Sequence, residues 1–213
     1  LPFLKKMISA SGLSGYEGPI CSIIEEAWHP LTDELNVSRI GSLHGLHRGS
    51  GDDPRPSVLL ATHMDAIGLM VAGIEEGFLR LSAVGGIDPR VLPGQLVTVH
   101  GRKDLPGVVV QPPSFLLPPE TSSGPVPLAN LFVDVGLSTR TVERQVRLGD
   151  LISFDTQPIE MDKKTLAGHS LDNRASVAAL THCLNLLQSR KHVWDVWAVA
   201  TVQEEETRGR ELS

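Results

Sequence analysis

Val58 to Ala61 runs apolar and then breaks into Thr62-His63-Met64-Asp65-Ala66-Ile67-Gly68. A short apolar run bounded by turn residues reads as a buried strand, and residues two apart on a strand point the same way. His63 and Asp65 therefore leave the strand's exit facing one cleft, with Met64 turned into the packing. A neutral imidazole binds divalent zinc or cobalt, and a neighbouring carboxylate fixes its tautomer and orientation. The same residues also read as a strand end that merely makes hydrogen bonds, and the motif alone leaves both readings open.

The 213 residues, 41% of them hydrophobic, suffice for one large domain or two modest ones with a buried core. A formal charge of −6 from 19 basic and 25 acidic residues gives no basic field for a nucleic-acid backbone, and no polybasic arm occurs. No apolar stretch approaches the roughly 20 residues of a membrane helix, and the N-terminus lacks a signal peptide's basic and apolar regions. The expected setting is cytoplasmic, with no nucleic acid and no membrane as partner. Cys21 and Cys183 each lie in a helical pattern and read as free buried thiols rather than a disulfide or a thiolate metal site. The chain stops at Ser213 shortly after a Glu-rich motif, and the expectation is that the C-terminal part of its catalytic domain is absent.

Leu1 to Ala10 is a short apolar and basic segment, broken by Ser11-Gly12-Leu13-Ser14-Gly15. Ile20, Ile23, Ile24, Ala27 and Trp28 then mark one face of a helix, with Pro19 in its first turn and Pro30 at its close. Leu35–Val37 and Leu43–Leu46 are short β-like pieces around Gly41, and residues 49–56 read as a polar loop. His44 and His47 lie near that loop without a carboxylate or thiolate at useful spacing, which favours solvated histidines over ligands.

From Ala66 to Gln157 the text changes: 9 of the 15 prolines and 11 of the 20 glycines fall here, and no segment shows a helical period. Short β runs at 68–73, 78–84, 96–100, 107–110, 131–135 and 151–154, separated by turn signals, indicate a small all-β barrel or sandwich inserted into an α/β domain. Pro112 to Pro127 is a proline-rich loop too long for a tight connection. The α/β pattern resumes at Pro158, so the expected domains are 1–65 and 158–213 for the α/β part and 66–157 for the insertion.

Val177, Leu180, Leu184 and Leu187 form a helical stripe after Gly168-His169-Ser170-Leu171-Asp172-Asn173-Arg174. Asp172 then stands at a helix N-terminus, either as a cap answering the macrodipole or as a carboxylate aimed into the cleft. His169 fits either an exposed or a functional role. Val193 to Gln203 reads as a central parallel strand covered on both faces, and it ends in Glu204-Glu205-Glu206. In open α/β sheets ligands bind beyond the carboxyl ends of the strands, which would gather His63, Asp65, Glu204 and Glu205 at one edge with Asp172 adjoining.

Val58 to Gly68, Val84 to Gln95, Leu131 to Gly136, Gly168 to Ala175 and Thr201 to Glu205, in that order, resemble the M42 family of metallo-aminopeptidases, which includes glutamyl and tetrahedral aminopeptidases. The resemblance implies an α/β, mixed-sheet zinc-peptidase-like catalytic domain with the β barrel inserted. It implies two divalent metal ions, zinc or cobalt: His63 on one, Asp172 bridging, Glu205 on the other, Asp65 orienting His63 and Glu204 as general base. On an extended strand neighbours diverge, so Glu204 and Glu205 would divide base and ligand. It also implies hydrolysis of N-terminal residues from short peptides, and a homo-oligomer in which dimers build a dodecamer. The family uses a further aspartate and histidine nearer the C-terminus, so this chain would supply three of five ligands and by itself be inactive. Ala66 stands where the family commonly has Glu, and Glu206-Thr207-Arg208-Gly209 replaces its usual Val-Gly turn.

Two other readings stand beside this one. The absent ligands and Ala66 suit a catalytically silent, peptidase-like assembly or binding protein. Paired carboxylates suit a glycoside hydrolase, although aromatics make up only 4% of the chain and none clusters near the acids as a sugar platform would require.

Overall fold

The computed structural model describes residues 1–113, 115, 117, 124–162 and 165–207. The chain divides into two compact units, Leu1–Ala66 with Pro158–Ser213, and Ile67–Gln157. Ala66, read above as the first residue of the insertion, belongs to the first unit. Its N–H donates to Gly12 O at 3.0 Å and its carbonyl accepts from Ser14 N–H at 3.1 Å, which ties it to the N-terminal segment.

In the first unit α1 (Pro2–Ile8), α2 (Gly18–Trp28) and α4 (Leu171–Leu187) accompany a four-stranded sheet of β1 (Glu34–Val37), β2 (Leu43–His47), β12 (Asp195–Thr201) and β3 (Ser57–His63), in that order. β12 runs parallel to β3 and antiparallel to β2, so the sheet is mixed. The helical stripes read from the sequence become the core: Met7, Ile20, Ile24, Trp28, Val177 and Leu184 pack with Leu43, Met64, Ala198 and Ala200. Each large apolar side chain buried this way contributes about 1.5–3 kcal/mol. Trp28 satisfies its one polar atom inside the core by donating Nε1–H to Thr181 Oγ1 at 2.8 Å. Cys21 is buried in α2 and Cys183 half-buried in α4, both free; burial pushes the Cys21 thiol up, away from thiolate chemistry. A small ribbon, β10 (Ile159–Glu160) with β11 (Leu166–Ala167), precedes α4.

The strand that opens the sequence argument is not buried along its length. Among the described residues β3 pairs only with β12, and as an edge strand it leaves Val58, Leu59 and Leu60 exposed; Leu59 is 63% exposed. An apolar run does not distinguish an edge strand from a central one, because the difference lies in the neighbours. β12 is the interior strand, but its neighbour β2 is antiparallel.

The second unit closes into a six-stranded barrel, β4 (Gly68–Glu75), β5 (Phe78–Val84), β8 (Phe132–Asp134), β7 (Asp104–Val110), β6 (Leu96–His100) and β9 (Leu151–Phe154), with every pairing antiparallel. Alternation puts Leu69, Leu79, Leu81, Val97, Val99, Val109, Val133 and Ile152 inside. Glu76 and Gly77 join β4 to β5 with both φ values positive, +50° and +93°, the turn that matches strand twist. Closure removes the free edges that β3 retains. Within this unit α3 (Thr139–Gln145) escaped the sequence reading; it buries only Val142 and so carries no periodic stripe. Of the proline-rich loop at 112–127, residues 114, 116 and 118–123 lie outside the described residues.

Candidate metal centre

β3 and β12 end together. His63 pairs in register with Thr201, and Met64 N–H donates to Thr201 O at 3.0 Å as the two chains diverge. Met64 goes into the apolar core, while His63 and Asp65 are buried together. His63 Nδ1 lies 3.3 Å from Asp65 Oδ1. Asp65, fully buried, also accepts Glu205 N–H on Oδ2 at 3.0 Å. The carboxylate lies on the Nδ1 side of the ring, which leaves Nε2 turned toward the carboxylates of the neighbouring segments.

Asp172 reaches that face from α4. Ser170 sits in the left-handed region at φ +60°, and Asp172 itself is non-helical at φ −82°, ψ 108°. The regular helix begins after it, so Asp172 is a pre-helical residue and not a cap. Its Oδ1 lies 3.1 Å from His63 Nε2, and its side chain remains 69% exposed. Glu204 Oε2 approaches the same nitrogen at 3.7 Å.

Glu204 and Glu205 do not lie on the strand, as the sequence reading had it. β12 stops at Thr201, Gln203 turns through φ +59°, and α5 (Glu204–Thr207) is a single helical turn. Successive side chains there are splayed by about 100° around the helix axis, in place of the opposite faces of a strand. Three residues, His63, Asp172 and Glu205, each place one donor atom within 4.8 Å of the others. Burial pushes the Glu205 carboxyl above its usual range; His63 draws it down, while Glu204, Asp65 and Asp172 push it up. One imidazole among four crowded carboxylates is a donor set that suits a divalent cation. The carboxylate crowding is itself the strain that a cation relieves.

His169 stays outside this group. It is half-buried beside Ser170 Oγ, and burial, with the Arg174 charge second, holds its pKa down to about 4. His44 and His47 are half-buried on β2 rather than solvated, and the His47 ring lies 5.0 Å from that of His192.

Two residues near the centre were missed from the sequence. Arg174, fully buried, donates Nε–H to Met64 O (3.1 Å), Nη1–H to Met7 O (2.6 Å) and Ala10 O (2.7 Å), and Nη2–H to Gly12 O (3.2 Å). Gly12 is needed there: a Cβ would stand 2.7 Å from Arg174 Nη2 and 2.5 Å from Ile20 Cγ2. Desolvation lowers the guanidinium pKa to about 10, and the Asp65 charge opposes that shift. Its signal was present, since Arg174 sits three residues before Val177 at a core position of the α4 stripe. Glu17, buried before α2, accepts N–H groups from Gly15 and Gln203 and had no such signal.

With this geometry in hand, the chain matches known proteins along nearly all its length. The family model described as M42 glutamyl aminopeptidase matches residues 41–209. The lysyl aminopeptidase of Pyrococcus furiosus is 31% identical over 208 residues, covering 95% of this chain and 58% of that protein. Among solved structures, the TET aminopeptidase of a marine sediment archaeon of the Thaumarchaeota superposes with a TM-score of 0.88 at 30% identity, covering 96% of this chain and 59% of that one. The TET1 peptidase of Pyrococcus horikoshii, described as assembling into a tetrahedron or a large octahedral shell, superposes with a TM-score of 0.82 at 33% identity over 96% of this chain and 61% of its own. The chain therefore spans about three fifths of the length of these relatives.

Proposed function

Because the chain belongs to the M42 glutamyl aminopeptidase family, we propose that the cluster at the ends of β3 and β12 is the metal centre of an aminopeptidase that releases N-terminal residues from short peptides. The observation that carries this reading is the convergence of His63, Asp172 and Glu205 donor atoms within 4.8 Å. His63 would hold one divalent ion, zinc or cobalt, Glu205 a second, and Asp172 would be shared between the two. When bound, such a pair supplies Lewis acidity to a peptide carbonyl and lowers the pKa of water toward about 7.

The chain's own groups do the rest. Asp65 lies on the Nδ1 side of the His63 ring, and Arg174 anchors the Met64 carbonyl between these two residues. Glu204, whose Oε2 lies 3.7 Å from His63 Nε2, would take the proton of the attacking water and pass it to the departing amine. Association into a homo-oligomer, as in the Pyrococcus horikoshii peptidase, completes the proposal.

Aminoacyl chromogenic substrates assayed on the purified full-length protein test it. Activity abolished by a chelator and restored by zinc or cobalt is the expected result. Hydrolysis that survives thorough chelation, or none after either metal is added back, overturns the reading.

A further inference from the structure

Gln203 occupies the left-handed region at φ +59°, a conformation that a side-chain-bearing residue keeps only when its surroundings hold it. Two buried carboxylates do so, one on each side of Glu204. Glu17, 7% exposed, accepts the Gln203 N–H on Oε1 at 3.0 Å, and the same oxygen accepts the Gly15 N–H at 2.8 Å. Asp65 Oδ2 accepts the Glu205 N–H at 3.0 Å. The Gly12–Glu17 segment is in turn bonded through Gly12 and Ser14 to Ala66, just beyond Asp65. The turn that carries the two glutamates is therefore referenced to the His63 segment from both ends.

We propose that Glu17 is a positioning residue of this centre: by holding the Gln203 backbone it sets where Glu204 and Glu205 point, and it acts through the reach of its oxygen, not through its charge. The inference rests on the roles given above to Glu204 and Glu205. Three substitutions separate reach from charge. E17Q keeps an acceptor oxygen on a side chain of the same length, E17D keeps the charge on a chain one methylene shorter that no longer spans to Gln203, and E17A removes both.

Zinc affinity is read by competition with a chromophoric chelator, and the Gln203 amide by hydrogen exchange. Wild type and E17Q are expected to agree within about threefold, with E17D and E17A at least about tenfold weaker and faster in exchange at Gln203. All variants behaving as wild type, or E17Q failing while E17D is normal, overturns the proposal. Should E17A not fold, the contrast of E17Q with E17D decides alone. Should the wild type bind no zinc, the metal-centre reading falls and Glu17 is judged by exchange: unchanged Gln203 protection in E17D and E17A overturns it, and loss of protection in both but not in E17Q upholds it.

Discussion

Among the described residues, the barrel of Ile67–Gln157 has only apolar side chains fully buried, whereas the α/β unit buries Ser14, Glu17, Ser42, His63, Asp65 and Arg174 as well. A buried polar group left unbonded costs about 1–3 kcal/mol, so burying several is stable only where partners are supplied one by one. In the α/β unit three of those partners are backbone groups of the segments that carry His63 and Glu205: the Met64 carbonyl for Arg174 and the N–H groups of Gln203 and Glu205 for Glu17 and Asp65. The barrel gains stability by closure and packing; the other unit accepts a more demanding interior in exchange for fixed geometry at the ends of β3 and β12.

The largest effect should come from the most demanding group. Arg174→Met strands four carbonyls, those of Met7, Ala10, Gly12 and Met64, and is expected to cost about 3–5 kcal/mol in urea unfolding. Arg90→Ala, an exposed barrel arginine paired among the described residues only with Asp88 two residues away, should leave the midpoint where it was. Equal effects from the two would erase the contrast between the units. Next, Leu79→Ala in the barrel core should cost about 2–4 kcal/mol while zinc affinity stays within about threefold of wild type. A loss of zinc binding in that variant would show that the barrel contributes to the centre.

The pH dependence sharpens the same contrast. Burial holds His169 down at about 4, below its ordinary 6.5. Above pH 6.5 both folded and unfolded chains carry it neutral, and its contribution is complete. As pH falls from 6.5 toward 4 only the unfolded chain takes up the proton, so stability drops, by on the order of 1–2 kcal/mol. Unfolding midpoints across that range should show a shallower slope for His169→Gln; an identical slope would remove His169 as the cause. The smallest effect belongs to β3: Leu59→Thr, at an exposed edge, should change stability by less than about 0.5 kcal/mol in the same measurement. A loss of several kcal/mol would restore the buried strand read from the sequence.

What could be read in advance follows a physical line. The barrel strands were legible because alternation and turn residues are local: Phe78–Val84 and Leu96–His100 appear in the structure with the bounds assigned from their pattern. The helix over Thr139–Gln145 was not, since one buried valine in seven residues makes no period. Exposure of β3 was hidden because burial of a strand is a property of its neighbours.

At the site, His63, Asp65, Asp172, Glu204 and Glu205 were nameable by residue type and motif. The turn at Gln203, which makes Glu204–Thr207 helical, could not be foreseen, because a left-handed residue that is not glycine is held by contacts distant in sequence. Arg174 and Glu17 work on backbone atoms, and a bond to a carbonyl or an N–H leaves no mark on the partner's residue type.

The central claim is that His63, Asp172 and Glu205 form one donor set for divalent cations. Anomalous diffraction at the zinc edge, from crystals of the protein grown with zinc, tests it most directly. The account predicts anomalous density within bonding distance, about 2.0–2.2 Å, of His63 Nε2 or of the Asp172 and Glu205 carboxylates, lost in the His63→Ala, Asp172→Ala, Glu205→Ala triple variant. Zinc bound only elsewhere on the molecule, or density that persists at this place in the triple variant, would contradict it.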